Sequence, residues 1–356
     1  MKKLLILTTA MTSMGFAAHA DITFMSWGGA YETSQVEGYN KPFTAATGKN
    51  VVMTAADNPN APIKAMVEAG NVTVDVVDLE YADAVRMCDE GLLEVLDHSK
   101  LMPGDDGVAA TDDFLPGALT DCGVANIVFS TIFAYDNTKL TTGPTTMADF
   151  FDLTKFPGKR GLRKGAKANL EMALMADGVA AADVYATLET PEGVAKAFAK
   201  LDTIKADTVW WETGAQPPQL LADGEVVMTT AYNGRIFNAA VTEGKPFTTV
   251  WDGQVYEYDM FAIPKGAPNM ADALEYITFA TSTASLAEQA KWISYGPARK
   301  SSGAIVGLFN DGKTEMAPFM PTAPANLTNA LASSYEFWAD RDAELNEQFN
   351  AWLAAN

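Results

Sequence analysis

Two stretches of the chain, residues 126–135 (NIVFSTIFAY) and 255–263 (VYEYDMFAI), are nearly continuous apolar runs rich in β-branched and aromatic side chains. Both are too long for an ordinary parallel strand of about five or six residues. A strand that leaves one folded unit and enters another has this length and this two-sided hydrophobicity. Any fold for the chain must therefore accommodate two crossings.

Around these runs strands alternate with helices. Residues 22–26 read as a short strand ending in Trp27-Gly28-Gly29. Residues 30–47 read as one amphipathic helix (Tyr31, Val36, Tyr39, Phe43) stopped by Gly48. A strand over 50–55, a helix over 61–69, and a strand over 74–79 follow, the last running into Glu80-Tyr81 and a helix to Leu92. Strands separated by helices of this length imply βαβ units and a parallel sheet. Between the crossings, 156–162 (FPGKRGL) is a turn into a strand, and 168–175 and 192–200 are helices. Helices over 272–281, 285–293 and 335–352 complete the pattern. The expected fold is α/β, two α/β lobes joined by two hinge crossings. The divisions are a first part of lobe one at 21–130, lobe two at 131–258, and a return to lobe one with C-terminal helices at 259–356.

Residues 1–20 read as a secretory signal peptide. Lys2 and Lys3 form its positive start, 4–18 a mostly apolar run, and Ala18-His19-Ala20 an A-x-A cleavage site. The expectation is an exported, periplasmic protein starting at Asp21. Its 336 residues exceed the size at which single cores stop growing, which also favours two lobes. Loss of Lys2 and Lys3 takes the formal charge from −20 to −22. That balance argues against nucleic acid and anionic membrane surfaces as partners. The even cysteine count, Cys88 and Cys122, favours one disulfide in an exported chain, worth roughly 3–4 kcal/mol through loop closure. His98 is the one histidine beyond residue 20, so His triads and multi-His metal sites are excluded by count. With no G-x-S-x-G and no phosphate loop, the chain is not expected to be an enzyme, nor to carry a metal or other cofactor.

In open α/β sheets ligands bind beyond the carboxyl ends of the strands. Residues 209–235 (VWWETGAQPPQLLADGEVVMTTAYNGR) place Trp210 and Trp211 at one such end and Tyr-Asn-Gly-Arg at another. Successive strand side chains point to opposite faces, so one tryptophan belongs to the core; Trp211, nearer the loop, is assigned to the site. Trp27 and Tyr232 also sit at strand mouths, where a ring can hold a cation. Asp259 stands alone among Tyr258, Met260, Phe261 and Ile263, and a buried charge requires a partner. That partner is a ligand or a basic residue of the chain. Arg235 opens a helix after Asn233-Gly234, where it either holds an anion or pairs with Glu212, Glu243 or Asp252. Glu80 either holds an ammonium or caps the following helix.

The segments DITFMSWGGAY, VDVVDLEYADAVRMCDEGLLEVLD, FPGKRGL, GAQPPQLLADGEVVMTTAYNGR, EYDMFAIPKGAPN and WISYGPAR, in this order, resemble the periplasmic solute-binding proteins of ABC importers, in particular the putrescine- and spermidine-binding branch. The resemblance implies a periplasmic-binding-protein type II fold, a hinged monomer, and delivery of ligand to an inner-membrane ABC permease. It also implies Trp27, Tyr31, Tyr232 and Tyr295 as rings around the ligand, Asp259 as the hinge carboxylate for an amine, and Glu80 where the branch often has serine. Arg235 departs from the pattern, standing where the putrescine binder has an acid, and the acid near Ala168 is displaced to Glu171. A diamine has no use for a buried arginine, whereas arginine pairs bidentately with a carboxylate. The expected ligand is thus a small cationic or zwitterionic amine, a polyamine or an ω-amino acid such as 4-aminobutyrate. A betaine or sulfonium osmolyte held by an aromatic cage, and a ferric-iron carrier, are the alternatives.

Overall fold

The computed structural model describes residues 21–140 and 142–355, so the signal-peptide reading of 1–20 lies outside the described residues. The strands that organise it are β1 (Ile22–Ser26), β2 (Val51–Ala55), β3 (Val76–Glu80), β4 (Gly123–Asp136), β5 (Arg160–Arg163), β6 (Thr208–Trp211), β7 (Met228–Tyr232) and β8 (Phe247–Ala262). They form one path, β2-β1-β3-β8-β4-β7-β5-β6. β1 is parallel to β2 and β3, and β5 is parallel to β6 and β7. The long strands are antiparallel to each other and to their outer neighbours, β8 to β3 and β4 to β7.

The two apolar runs are indeed the crossings, and both extend further than their hydrophobic cores suggest. β4 has 14 residues, all buried, and β8 has 16. Their register runs from Gly123↔Ala262 to Asp136↔Phe247, with shifts at Ala125/Ile127 and Thr131/Phe133. Such irregularities bend and twist a strand pair, which lets one pair serve two lobes.

Each lobe has its own core. In the first, Phe24, Phe43, Val76, Leu79, Phe261 and Tyr276 pack together, and Phe43 and Tyr276 meet edge to face at 5.3 Å. In the second, Phe133, Phe150, Leu162, Leu170 and Leu174 do so. The helix expected over 30–47 spans Gly29 to Thr47 but widens into a π turn at Val36–Asn40. Its Gly38 lies against the helix Thr283–Gln289, where a Cβ would come within 2.6 Å of the Gln289 Cα. Cys88, in the helix Tyr81–Asp89, forms a disulfide with Cys122, the Cα atoms 5.8 Å apart.

The helix Tyr335–Ala354 joins the lobes from behind. Its buried Trp338, Leu345 and Phe349 belong to the second core, while Tyr335 stacks on Tyr81 of the first lobe at 4.3 Å. Trp338 Nε1 donates to Glu171 Oε1 at 2.7 Å, and the Tyr185 hydroxyl donates to the same oxygen at 3.1 Å. Glu171 is fully buried and its Oε2 has no partner. Burial pushes its carboxyl up to about 7, against the usual 4.5. The folded chain then holds a proton that the unfolded chain releases near pH 4.5. Stability is therefore fully present below that pH and is lost as pH rises through about 7. Glu171→Gln is expected to be more stable than the parent at pH 8, by on the order of 2 kcal/mol, with the gap vanishing near pH 4.5. Urea unfolding at the two pH values measures it.

Candidate ligand-binding site

The cavity between the lobes lies where strands end. Trp27 follows β1, Glu80 closes β3, Arg163 closes β5, Gly214 follows β6 and Tyr232 closes β7. Asp259 of β8 and Phe129 of β4 form its floor, and Tyr31, Arg235 and Tyr295 line it from helices and a loop. Counted with its mouth the cavity measures about 460 Å³. Of the residues assigned from sequence, Trp27, Tyr31, Glu80, Tyr232, Arg235, Asp259 and Tyr295 meet here. Trp211 does not line the cavity. It is buried behind Tyr232, edge to face at 5.6 Å, while Trp210 points the other way onto Phe349 and Trp352. The alternation of strand faces holds, but the inner tryptophan packs behind Tyr232, and Tyr232 is the ring that lines the cavity.

Two buried charged groups on the cavity wall meet no counter-ion among the described residues, while Asp57 and Glu212 line the cavity from exposed positions. Asp259 is buried, paired by backbone register with Glu80 and Ile127, and its Oδ1 has no hydrogen-bond partner. Burial, reinforced by the charges of Asp78, Glu80 and Glu257, holds its carboxyl well above the usual range. Arg235, from the short helix Asn233–Phe237, is also buried, and its Nε has no partner. Among the described residues it forms no ion pair. Glu212 is taken by Lys164 at 2.8 Å, Glu243 accepts from Asn238, and Asp252 accepts from the Met147 N–H and from Asn329. Its Nη2 reaches the Trp27 carbonyl at 3.5 Å, across the cleft. That approach depends on Gly29, at φ +62°, where a Cβ would stand 2.5 Å from Arg235 Nη1.

Glu80 behaves differently. Its side chain does not cap the helix Tyr81–Asp89, although Glu80 occupies the capping position. It instead accepts from Arg163 Nη1 at 3.0 Å and from Lys167 Nζ at 2.9 Å, and Lys167 also reaches Glu257 at 2.5 Å. Burial opposes ionisation of Glu80, but Lys167 and Arg163 overcome it and hold the carboxyl at about 2. Glu80 is therefore neutralised by the chain itself. Asp78 lies behind the floor, accepting from Ser26 Oγ, Gln35 Nε2 and Asn126 Nδ2 at 3.0, 2.7 and 3.2 Å, with burial raising it to about 7.

Rings enclose the space between the unpaired groups. Tyr31 and Tyr295 meet edge to face at 5.4 Å, Phe129 and Tyr232 at 5.5 Å, and Trp27 joins the same apolar cluster. Arg163 lies 5.8 Å over the Tyr232 ring. Asn126 donates to the Tyr31 hydroxyl at 3.0 Å, fixing that ring. Phe129, Arg163, Lys167 and Glu257 escaped the sequence reading. Glu257 shares strand parity with Asp259, and Arg163 ends a strand one residue past FPGKRGL; both signals were present. Chemically the cavity offers one positive end, one acidic end and an aromatic sleeve.

The model of the bacterial extracellular solute-binding protein family matches residues 39–322. The gamma-aminobutyric acid-binding protein of Pseudomonas aeruginosa PAO1 is 46% identical over 350 residues, covering 97% of this chain and 96% of the relative. Two solved structures share the fold. One is MotA of Agrobacterium tumefaciens B6 in complex with glucopine, with a TM-score of 0.85, 29% identity, and coverage of 94% of this chain and 100% of that one. The other is the Atu4243 GABA receptor, with a TM-score of 0.80, 32% identity, and coverage of 95% and 98%. The matched family is broader than the polyamine branch suggested by the sequence segments. The fold is the type II periplasmic-binding-protein fold with two lobes. The chain belongs to the bacterial extracellular solute-binding proteins, the non-catalytic periplasmic carriers that bring small solutes to ABC importers.

Proposed function

We propose that the solute is a short ω-amino acid of the length of 4-aminobutyrate, bound as a zwitterion. The observation that carries this reading is the pair of orphans on one cavity wall, Asp259 Oδ1 and Arg235 Nε. An ammonium satisfies the first and a carboxylate the second, while Trp27, Tyr31, Phe129, Tyr232 and Tyr295 surround the methylenes. Leaving the buried Arg235 charge unpaired costs several kcal/mol, and Asp259 escapes the same cost in the empty site only by holding a proton. Putrescine leaves Arg235 unpaired, and a betaine or sulfonium gives Asp259 no N–H donor. The naming of the Pseudomonas aeruginosa relative for gamma-aminobutyric acid agrees with this choice. The protein works as a monomer that closes its lobes on the ligand and delivers it to an inner-membrane permease.

A thermal-shift and calorimetric screen of 4-aminobutyrate, putrescine and glycine betaine tests the reading, because a ligand that binds only the folded state raises its melting temperature. 4-Aminobutyrate is expected to bind tightest. Tighter binding of putrescine would overturn the proposal. Arg235→Ala and Asp259→Asn are each expected to weaken 4-aminobutyrate binding at least about 30-fold, the consequence of removing one partner from a buried charge pair. Putrescine binding, if measurable, is expected to suffer from Asp259→Asn but not from Arg235→Ala.

The sign of the pH dependence follows from Asp259. Its raised pKa means the empty site holds a proton there, whereas a bound ammonium requires the carboxylate. Binding therefore expels a proton, and affinity increases with pH until Asp259 ionises in the empty site as well, then falls when the ligand's own ammonium titrates, near 10 for an ordinary amine. Calorimetry in buffers of different ionisation enthalpy should detect the released proton in the parent protein and its loss in Asp259→Asn.

A further inference from the structure

The interlobe cleft continues past the ligand cavity. A second cavity of about 720 Å³, counted with its mouth, lies beyond Glu80 and Arg163, with Asn60, Asp83, Arg86, Lys167, Asp342 and Asn346 on its walls. Among the described residues Glu80 and Arg163 alone line both cavities. Their ion pair, 3.0 Å between Arg163 Nη1 and Glu80 Oε1, is thus the partition.

The partition is firm. Glu80 Oε2 is held by Lys167, which is itself tied to Glu257, and the Arg163 guanidinium rests over the Tyr232 ring. Displacing it means breaking buried ion pairs, which leaves charges uncompensated in a low-dielectric site. It also stands at a defined end of the ligand. Asp259 is the direct register partner of Glu80, so the ammonium end is the end that meets the wall. The space behind is polar, with Asn60 Nδ2 donating to Asp83 at 2.6 Å and Asn346 Nδ2 donating to Asp342 Oδ1 at 2.9 Å. It would accommodate a hydroxylated substituent and reject a greasy one.

We infer that the Glu80–Arg163 ion pair sets specificity at the amine end. It restricts the site to primary amines and excludes amines whose nitrogen carries a second, polar substituent, for which the cavity behind the wall has room. This inference rests on the ω-amino acid reading and assigns one further property to the same site. Glu80 and Arg163 act by volume, whereas Asp259 and Arg235 act by charge.

Titration calorimetry with two ligands, 4-aminobutyrate and N-(2-hydroxyethyl)-4-aminobutyrate, tests it on the parent protein and two double variants. The parent is expected to prefer the primary amine by about 10- to 200-fold, the range over which pocket size discriminates. Glu80→Ala/Arg163→Ala removes both charges together, leaves the Lys167–Glu257 pair intact, and is expected to bring the ratio near unity. Glu80→Gln/Arg163→Met keeps the volume without the charge and is expected to retain the discrimination. Equal binding of both ligands by the parent overturns the inference, as does an unchanged ratio in the alanine pair. If the alanine pair does not fold, Glu80→Asp/Arg163→Lys, which keeps the charges on shorter side chains, is expected to lower the ratio, and an unchanged ratio there is equally fatal. A parent that binds neither ligand refutes the ω-amino acid reading itself, an outcome distinct from failure of the wall.

Discussion

Four carboxylates, Asp78, Glu80, Glu257 and Asp259, are buried on two adjacent strands, β3 and β8. Burying that many acids in one place is the constraint from which the rest of the cleft follows. Asp78 is dispersed into neutral donors, and Glu80 and Glu257 are met by Arg163 and Lys167. Those cations follow the first crossing in the chain, so the pairs that Glu80 makes with Arg163 and Lys167 reach across the cleft. Opening the cleft would hydrate all of them, and the Coulombic gain on closure is largely offset by that lost hydration. Among the described residues Asp259 pairs with no cation. Arg235 is the opposite case, a cation that pairs with no acid among the described residues. The zwitterion proposed above would complete both, and closure without it leaves Arg235 without a counter-ion and Asp259 protonated.

The aromatic sleeve has a complementary task. Tyr31, Phe129, Tyr232 and Tyr295 hold one another edge to face, with Trp211 behind Tyr232, so they are positioned by packing before any ligand arrives. Around the proposed ω-amino acid, rings held in this way would exclude water from the methylenes and lower the local dielectric, which would strengthen the charge contacts at both ends.

Much of this was legible in the linear sequence, for a physical reason. β4 and β8 are buried on both faces, so hydrophobicity alone betrays them, and an aspartate inside such a run, Asp259, is conspicuous because burial makes it costly. Arg235 stood out as a cation where a diamine carrier needs an acid. What escaped was pairing. Glu80 meets Arg163 and Lys167 across more than eighty residues of chain, and no local pattern reports which acid will be neutralised internally. The same limit placed Trp211 at the ligand, since alternation decides the face of a side chain and not its depth. The close approach of the distant Gln289, which demands glycine at position 38 inside the π turn Val36–Asn40, was equally invisible.

The helix Tyr335–Ala354 gives the molecule a particular order of assembly. The second core, whose strands lie between residues 123 and 262, also needs Trp338, Leu345 and Phe349. The first core, begun at Ile22, is incomplete without Phe261, Tyr276 and Ile277. Neither lobe can therefore mature as its own residues emerge from the translocation channel. The chain must cross almost entire with both hydrophobic faces open, and contacts of such long sequence separation form slowly.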